Sequence, residues 1–261
     1  MSKAPAADYT LKIIEFFAQA NSDVGIADIS NSLEINKNAV SRILEALLEE
    51  NWIYMSDAVS KKYRLTMKPF SMMSASVRAN ETVKIAEPVL SKIHKQLGDS
   101  IYFGVRKDNN VLYLLHYDSV NDVRISGRVG GEYPLHCSAP GKVLLAYESP
   151  MEIDAYFSAV PEKKTANTIQ TAVEFYEECQ NIKKIGYAID NEEFGKGIIC
   201  IACPIYNSNG EVVATIGLSS LTIYDDINSL IENKYPILGH AAMQISAALG
   251  YNERSINNEN T

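Results

Sequence analysis

Cysteine thiols are the most reactive side chains in this sequence, and two of the four lie in a Cys-x-x-Cys motif. Cys200 and Cys203 have the spacing found in many zinc and redox sites. They lie, however, in the apolar run 198–205, which predicts a β-strand. Residues three apart on a strand face opposite sides, so the two thiols cannot converge on one ion. We therefore expect no metal site and no cofactor.

The dipeptide His136-Cys137 suggests a nucleophile beside its general base. Adjacent residues on an extended segment point apart, so a buried structural histidine is the favoured interpretation. Gly141-Lys142 suggests a phosphate-binding loop, but Val143 occupies the position of the hydroxyl residue that would bind magnesium. These motifs therefore do not predict an enzyme.

Three neighbouring carboxylates, at Asp190, Glu192 and Glu193, could supply acid–base catalysis. We expect Glu192 and Glu193 to cap or solvate the turn at residues 195–197. Asp190 is then the one carboxylate of the three with a predicted ligand role.

Charge is distributed unevenly along the 261-residue chain, whose net charge is −8. Residues 1–80 contain nine Lys or Arg and nine Asp or Glu, so the whole acidic excess lies in residues 81–261. A neutral module has no net attraction for a polyanion, so any non-specific affinity for nucleic acid would be modest, and dimerisation and base contacts would have to add to it. No apolar run approaches the roughly 20 residues that span a bilayer. Since the N-terminus also lacks the apolar core of a signal peptide, we expect a cytoplasmic location without membrane contact.

The polar face that could contact DNA belongs to a helix predicted at residues 36–48. Its apolar residues recur at steps of three and four, which buries one stripe of the helix. The residues left facing outward are Lys37, Asn38, Ser41, Arg42 and Glu45. A shorter helix at residues 26–33 precedes it across the turn 34–36. Two helices joined so tightly predict a helix-turn-helix.

A hairpin is predicted directly after this helix pair, as in a winged helix. Its strands, residues 53–55 and 62–65, flank a polar turn at residues 56–61. Basic side chains here would contact phosphates beside the groove that the helix reads. The predicted DNA-binding residues are thus Lys37, Asn38, Ser41 and Arg42 on the helix, and Lys61, Lys62 and Arg64 on the wing.

The rest of the chain predicts a linker helix and a second domain. We expect a frayed segment at 1–8 and further helices at 9–20, 66–79, 83–97, 138–146, 151–157, 172–185 and 225–249, the last broken near Pro236. Strands are expected at 101–105, 111–115, 123–125, 187–189, 198–205 and 212–218. Helices flanking an antiparallel sheet predict an α+β fold. The predicted domains are a winged helix-turn-helix (1–65), a linker helix (66–80), an effector domain (81–250) and a disordered tail (251–261).

Two segments of the second domain carry a recognisable pattern. Residues 134–146 read Pro-Leu-His-Cys-Ser-Ala-Pro-Gly-Lys-Val-Leu-Leu-Ala, and residues 186–205 begin Gly-Tyr-Ala-Ile-Asp-Asn-Glu-Glu and end Cys-Ile-Ala-Cys-Pro-Ile. They resemble the effector domain of the IclR family of bacterial transcription regulators, and the resemblance covers about residues 8–250. It implies a winged helix that binds palindromic operators as a dimer or tetramer, and a GAF-like domain that binds a small metabolite.

The resemblance also implies how small carboxylates are held in such a domain. The ligand is bound by amides before the Gly-Lys pair, an Asp before the Glu-Glu pair, a Cys on the next strand and hydroxyls on the last strand. The matching positions are Ala139, Pro140, Asp190, Cys200 and Ser219. A helix N-terminus capped by Ser138 agrees with this, because such a terminus attracts anions.

Two positions depart from the family pattern. Pro140 has no N–H, and Gly217 stands where a second serine is expected, which predicts a pocket suited to a bulkier or less acidic ligand. Strand alternation places Cys200 and Ala202 on one face of their strand, and Gly217 and Ser219 on one face of the neighbouring strand.

The helix-turn-helix pattern predicts a DNA-binding regulator, and the resemblance implies that its partners are palindromic double-stranded DNA, a small carboxylate effector and further copies of itself. Two other functions stay open from the sequence. One is an enzyme that uses Cys137 or Cys200 as a nucleophile on a small carboxylate. The other is a module whose winged helix binds protein instead of DNA.

Overall fold

The computed structural model describes residues 4–20, 22–69, 71–72 and 80–252. The chain divides into two compact units, residues 1–78 and 79–261. The expected α+β fold class is confirmed, with a winged helix-turn-helix in the first unit and an antiparallel sheet flanked by helices in the second. Within the described ranges, no helix is both long and apolar enough to cross a membrane.

The described part of the first unit contains three complete helices, a few helical residues of the predicted linker helix, and a small antiparallel sheet in the strand order β1-β3-β2. Its elements are α1 (Pro5–Gln19), β1 (Val24–Gly25), α2 (Ile26–Leu33), α3 (Lys37–Glu49), β2 (Ile53–Asp57) and β3 (Lys62–Leu65). The expectation of a frayed chain up to residue 8 is wrong for residues 5–8. The helix begins at Pro5, because proline fits the first helical position.

The turn between α2 and α3 is closed by side chains. Glu34 adopts the left-handed conformation, and the Ser30 hydroxyl donates to the Ile35 carbonyl at 2.7 Å. Asn36 caps α3 by accepting a hydrogen bond from the Asn38 N–H at 2.8 Å. These contacts confirm the predicted three-residue turn and fix the direction in which α3 leaves it.

Most of the predicted linker helix lies outside the described residues. Residues 68, 69, 71 and 72 are helical, and residues 70 and 73–79 are not described. The predicted tail is likewise outside the described ranges from residue 253 onward.

The second unit is built on a six-stranded antiparallel sheet in the order β6-β5-β4-β9-β8-β7. Its elements are α4 (Glu81–Leu97), β4 (Ser100–Lys107), β5 (Asn110–Tyr117), β6 (Glu132–Pro134), α5 (Ala139–Ala146), α6 (Pro150–Ser158), α7 (Ala172–Ile185), β7 (Ala188–Asn191), β8 (Ile198–Tyr206), β9 (Val212–Leu221), α8 (Ile227–Ser229), a π-helical turn (Leu230–Lys234) and α9 (Tyr235–Ala248). The helices α5, α6 and α7 share an apolar core with one face of the sheet, and α4 and α9 pack together. The π-helical turn confirms the predicted break near Pro236.

The strand expected at residues 123–125 is wrong, since residues 118–131 form irregular chain. This segment is held by its side chains and carbonyls: Ile125 lines a cavity, and its carbonyl accepts from the Ser100 hydroxyl at 3.4 Å. The short strand β6, which pairs with β5, was not predicted. It has three residues including Pro134, and such a sequence carries little strand signal.

Candidate functional site

The outward side of α3 carries the residues predicted to read DNA. The residues of this helix buried in the core of the first unit are Val40, Leu44 and Leu47. Their burial turns the opposite side toward solvent, where Lys37, Asn38 and Arg42 are exposed and Ser41 is half-buried. The structure therefore brings the four predicted helix residues to the solvent side of one element.

A fifth residue on this surface, Glu45, had no role assigned from the sequence. The Ser41 hydroxyl donates to Glu45 Oε1 at 3.3 Å, across one turn of α3. Arg42 lies beside them with no hydrogen bond or ion pair to any described residue. The exposed surface thus presents an unpaired guanidinium next to a carboxylate that is held by a neighbour.

The three basic residues of the wing are in different situations. Lys62 Nζ lies 3.5 Å from Asp28 Oδ2, and Arg64 pairs with Asp23. A hydrogen bond from Gly25 and the charge of Lys62 hold the pKa of Asp28 below its usual value. Within the described chain, Lys61 is the wing residue without such a partner, and it is exposed at the turn.

A cavity opens at one face of the second unit's sheet, and we call it the sheet cavity. Its lining residues are Ser100, Tyr102, Tyr113, His116, Ile125, Gly127, Tyr133, Ser138, Pro140, Asp190, Phe194, Ile198, Cys200 and Ser219. Four of the five residues predicted to bind an effector are among them. The fifth, Ala139, is fully buried in the adjacent apolar core. The free volume is about 30 Å³, so a ligand larger than a few waters requires side chains to move.

Strand register places four polar side chains in one row across the sheet cavity. Asp190 on β7 lies opposite Cys200 on β8, Cys200 opposite Ser219 on β9, and Ser219 opposite Ser100 on β4. Residues paired in this way point to the same face, about 5 Å apart. Cys200 Sγ and Ser219 Oγ are 3.0 Å apart. The expected alternation of these two strands is therefore confirmed.

Asp190 is the charged residue of this row and is fully buried. Its Oδ1 accepts hydrogen bonds from the backbone N–H groups of Glu193 at 2.7 Å and Phe194 at 3.2 Å. Its Oδ2 is buried and meets no stronger donor within the described chain than the neighbouring Cys200 thiol, which is a weak one. Burial raises the pKa of the Asp190 carboxyl to about 6, although these two N–H groups oppose the shift. A buried acceptor in a cavity without a partner is a position for a ligand donor.

The N-terminus of α5 has few free N–H groups to offer. The Ser138 hydroxyl donates to the Pro134 carbonyl at 2.6 Å and accepts from the Gly141 N–H at 3.2 Å. The Lys142 N–H donates to the Ser138 carbonyl, and Pro140 has no N–H. Of the first four residues of α5, Ala139 alone has an N–H that no described residue accepts.

Aromatic rings form a wall of the sheet cavity that the sequence analysis did not identify. Tyr102 stacks on Tyr113 with ring centroids 4.6 Å apart, and Tyr133 lies 4.3 Å from Tyr113. The Tyr102 ring lies against Gly217, where a Cβ atom would come within 2.5 Å of the Tyr102 hydroxyl. A serine at position 217 is therefore excluded by Tyr102. The sequence did contain a signal for this wall. Tyr102 and Tyr113 lie on the two strands of one predicted hairpin, where strand alternation can place both rings on the same face.

His116 is a second lining residue that was missed. Its Nε2 is 3.1 Å from Asp118 Oδ1, while its Nδ1 is buried without a hydrogen-bond partner among the described residues. The ring lies against Gly127, where a Cβ atom would be 2.4 Å from it. The sheet cavity therefore contains two buried polar atoms, one on His116 and one on Asp190, that could meet a ligand.

The turn after β7 holds a buried ion pair that corrects one prediction. Glu193 was expected to cap or solvate the turn, but its Oε1 lies 2.5 Å from Lys142 Nζ, and both residues are buried. Lys142 Nζ is also 2.8 Å from Glu178 Oε1 on α7. Burial raises the pKa of Glu193 to about 7, against the opposing charge of Lys142. The expectation for Glu192 is confirmed, since it accepts from the Gly197 N–H at 2.8 Å.

The other residues with possible chemistry lie away from the sheet cavity. His136 is buried, with Nδ1 2.8 Å from the Tyr156 hydroxyl and Nε2 3.0 Å from the Glu162 carbonyl, so the structural interpretation is confirmed. Burial raises the pKa of the Cys137 thiol to about 12. Cys203 lines a different cavity beside α9, so it points away from Cys200 as expected.

Comparison with known proteins covers both units. A family profile described as "IclR helix-turn-helix domain" matches residues 6–56, and one described as "Bacterial transcriptional regulator IclR C-terminal" matches residues 74–247. The chain is 29% identical over 234 residues to the HTH-type transcriptional regulator KdgR of Dickeya chrysanthemi, covering 88% of this chain and 75% of that protein. It is 28% identical over 233 residues to KdgR of Escherichia coli strain K12, covering 88% of each.

Solved structures agree with the profiles. The crystal structure of the Thermotoga maritima IclR has a TM-score of 0.78 and 26% sequence identity, covering 95% of this chain and 99% of that one. The two profiles together cover the helix-turn-helix and the domain that contains the sheet cavity. This chain therefore belongs to the IclR family of DNA-binding bacterial transcriptional regulators.

Proposed function

We propose that this regulator binds a palindromic operator as a homodimer or homotetramer, and that a small carboxylate bound in the sheet cavity changes its operator affinity. The observation that carries the effector part is the buried Asp190 Oδ2, which has no N–H or O–H partner among the described residues and stands in a row of polar side chains. The membership of the chain in a family of transcription regulators supports the DNA-binding part.

The α3 surface supports contacts to base edges in the major groove. Arg42 is exposed and unpaired within the described chain, and an arginine in this position can bind the O6 and N7 atoms of guanine together. Lys37 and Lys61 are exposed and suited to phosphates. Lys62 and Arg64 would have to leave Asp28 and Asp23, or share them, to contact DNA.

A carboxylate in the sheet cavity would meet the Ser219 hydroxyl, which lines the cavity. The Ala139 N–H lies beside the cavity in the apolar core, and the Ser100 hydroxyl already donates to the Ile125 carbonyl. An ionised Asp190 would repel the ligand carboxylate, so we propose that Asp190 binds the effector in its protonated form and donates a hydrogen bond from Oδ2. With a pKa of about 6, protonating this carboxyl at pH 7 costs about 1.4 kcal/mol. A few charge-assisted hydrogen bonds of the ligand are enough to offset that cost.

The pKa values of the thiols do not favour the alternative of a cysteine-dependent enzyme. Burial raises the pKa of Cys137 to about 12 and that of Cys200 well above its usual value. A thiol must ionise to act as a nucleophile, and these two stay protonated near pH 7. We therefore propose that the protein acts by binding and not by catalysis.

DNA recognition is tested by fluorescence anisotropy on the DNA upstream of its own gene and on a scrambled sequence, across a salt series. We expect the wild type to prefer its own upstream DNA and Arg42→Ala to reduce that preference by roughly 1–3 kcal/mol. Lys12→Ala removes the same charge from an exposed position on α1 and is the matched control, which should keep the preference.

Three outcomes would contradict the proposed DNA recognition. One is equal binding to both DNAs by the wild type, and another is an equal loss of preference in Lys12→Ala and Arg42→Ala. Binding that does not change with salt would contradict any contact to phosphates, and would favour a module that binds protein instead.

A further inference from the structure

We propose that Glu45 determines part of the operator sequence by accepting a hydrogen bond from the N4 amino group of a cytosine in each half-site. This inference rests on the proposed operator binding through α3. It assigns to this residue a role in specificity that is separate from the affinity contributed by the basic residues.

The position of Glu45 is the first step. It lies three residues after Arg42 and seven after Asn38, so all three project from the same side of α3. That side is opposite the buried Leu44 and Leu47, and all three residues are exposed. Any DNA that lies against Asn38 and Arg42 is therefore within reach of the Glu45 carboxylate.

The charge of Glu45 is the second step. A carboxylate brought toward DNA is repelled by the phosphates, and it offers acceptors only. In the major groove, guanine presents the acceptors N7 and O6, and thymine presents the acceptor O4. Cytosine presents a donor at N4, whereas the donor of adenine stands beside its N7 acceptor. Glu45 is thus favourable opposite cytosine and unfavourable opposite guanine or thymine.

The hydrogen bond from Ser41 is the third step. The Ser41 hydroxyl holds Glu45 Oε1 at 3.3 Å and leaves Oε2 without a partner among the described residues. Within the described chain Arg42 does not pair with Glu45, although the two are three residues apart on one helix. The carboxylate is therefore oriented by an uncharged neighbour and keeps an oxygen available for a base.

The spacing along α3 sets where the cytosine lies. Three residues of α-helix rise about 4.5 Å, close to the separation of about 3.4 Å between successive base pairs. Because this rise exceeds one base-pair step, the cytosine read by Glu45 belongs to the base pair next to the guanine that Arg42 would bind. The selected half-site should therefore contain two neighbouring preferences, one for each residue.

The test is selection of binding sites from a random double-stranded DNA library by the full-length protein, followed by sequencing. We expect Glu45→Ala to lose the preference for cytosine at one position in each half-site by roughly 5- to 150-fold, while the other positions keep theirs. Glu45→Gln should replace the cytosine preference with adenine, because an amide binds adenine N6 and N7. Glu45 is exposed, so neither change removes a core contact.

Glu49→Ala is the matched control, because it removes the same charge from an exposed position one turn further along α3. It should leave every base preference unchanged. The inference is wrong if Glu45→Ala tightens binding to all sequences alike, as loss of a merely solvated charge would. It is also wrong if Glu49→Ala changes the same position. If the wild type selects no sequence at all, the proposed operator binding fails together with the inference.

Discussion

Asp190 is fully buried, and the backbone donates hydrogen bonds to one of its two carboxylate oxygens. Its Oδ1 accepts two backbone N–H groups, whereas the buried Oδ2 has no N–H or O–H partner among the described residues. Burial disfavours the ionised form, which is why the pKa rises to about 6. The carboxyl therefore changes its protonation state near pH 6.

Replacing Asp190 by Asn should change how stability depends on pH. The wild-type carboxyl binds its proton more tightly in the folded state, with a pKa of about 6, than in the unfolded state, where it is near 3.8. The contribution of this protonated carboxyl to the free energy of unfolding is therefore fully present below pH 4 and is lost as the pH rises to about 6. Asn does not titrate. The free energy of unfolding of Asp190→Asn should therefore rise relative to that of the wild type by up to about 3 kcal/mol between pH 4 and pH 7.

Urea unfolding of both proteins at pH 4, 5.5 and 7 measures this difference. Asp122→Asn removes the same charge from an exposed loop position and serves as the control. The two free energies of unfolding could instead differ by a constant amount over this range. That result would show that Asp190 ionises as easily in the folded protein as in the unfolded chain.

At the scale of elements, a buried lysine joins α5 to two other parts of the second unit. Lys142 Nζ contacts Glu193, in the turn after β7, and Glu178 on α7. The same turn supplies the N–H groups that bind Asp190 Oδ1. The ion pair therefore positions both the helix and the turn that border the sheet cavity.

Lys142→Met should destabilise the second unit strongly, by about 3–5 kcal/mol. The methionine fills the space, but Glu193 is left buried without its counter-ion and close to Glu178. The double variant Lys142→Met with Glu193→Gln removes the unpaired charge and should recover part of the loss. Chemical denaturation of the single and double variants measures both effects.

A surface pair of the same kind provides the control for the buried one. Lys107 contacts Glu132 with about half of its side chain exposed, so Lys107→Met should cost at most about 1 kcal/mol. If the buried and surface substitutions cost the same, or if the double variant is less stable than Lys142→Met, the ion pair does not hold these elements together.

Elements with long periodic patterns were predictable from the sequence, and side-chain environments were not. The helix period of Val40, Leu44 and Leu47 was enough to orient α3. Alternation was enough to put Cys200 on the same face of β8 as Ala202 and Ser219 on the same face of β9 as Gly217, whereas the pairing of Cys200 with Ser219 depends on the strand register. Burial of Glu193 depends on Lys142, which is 51 positions away in the chain, and local pattern contains no such information.

The departures from the family pattern at Pro140 and Gly217 stay predictions from the resemblance, but the space at Gly217 depends on a distant contact. Tyr102, on a neighbouring strand, occupies the space that a side chain at position 217 would need. The aromatic wall of Tyr102, Tyr113 and Tyr133 becomes visible only when β4, β5 and β6 are paired. Its bulk explains the small free volume of the sheet cavity.

At the scale of the whole molecule, the two units differ in charge and in proposed task. The first is neutral by sequence, and the net charge of −8 lies in the second. An acidic second unit is repelled by DNA, which leaves the winged helix as the part suited to contact it. Regulation then requires that effector binding in the second unit and DNA binding by the first bias a common equilibrium.

Such coupling must be reciprocal, and this gives the last prediction. If a small carboxylate changes operator affinity by a factor in the usual range of about 5–150, saturating operator must change the affinity for that carboxylate by the same factor. A panel of 2-oxoacids and hydroxy acids is first screened by thermal shift. Titration calorimetry of the best binder, with and without operator, then compares the two factors.

Asp190→Ala should keep operator affinity within about 2-fold of the wild type while losing the response to the carboxylate. An equal loss of operator binding in Asp190→Ala would show that Asp190 supports the fold and not the effector. Unequal factors in the wild type would show that the carboxylate acts at some place other than the equilibrium that controls DNA binding.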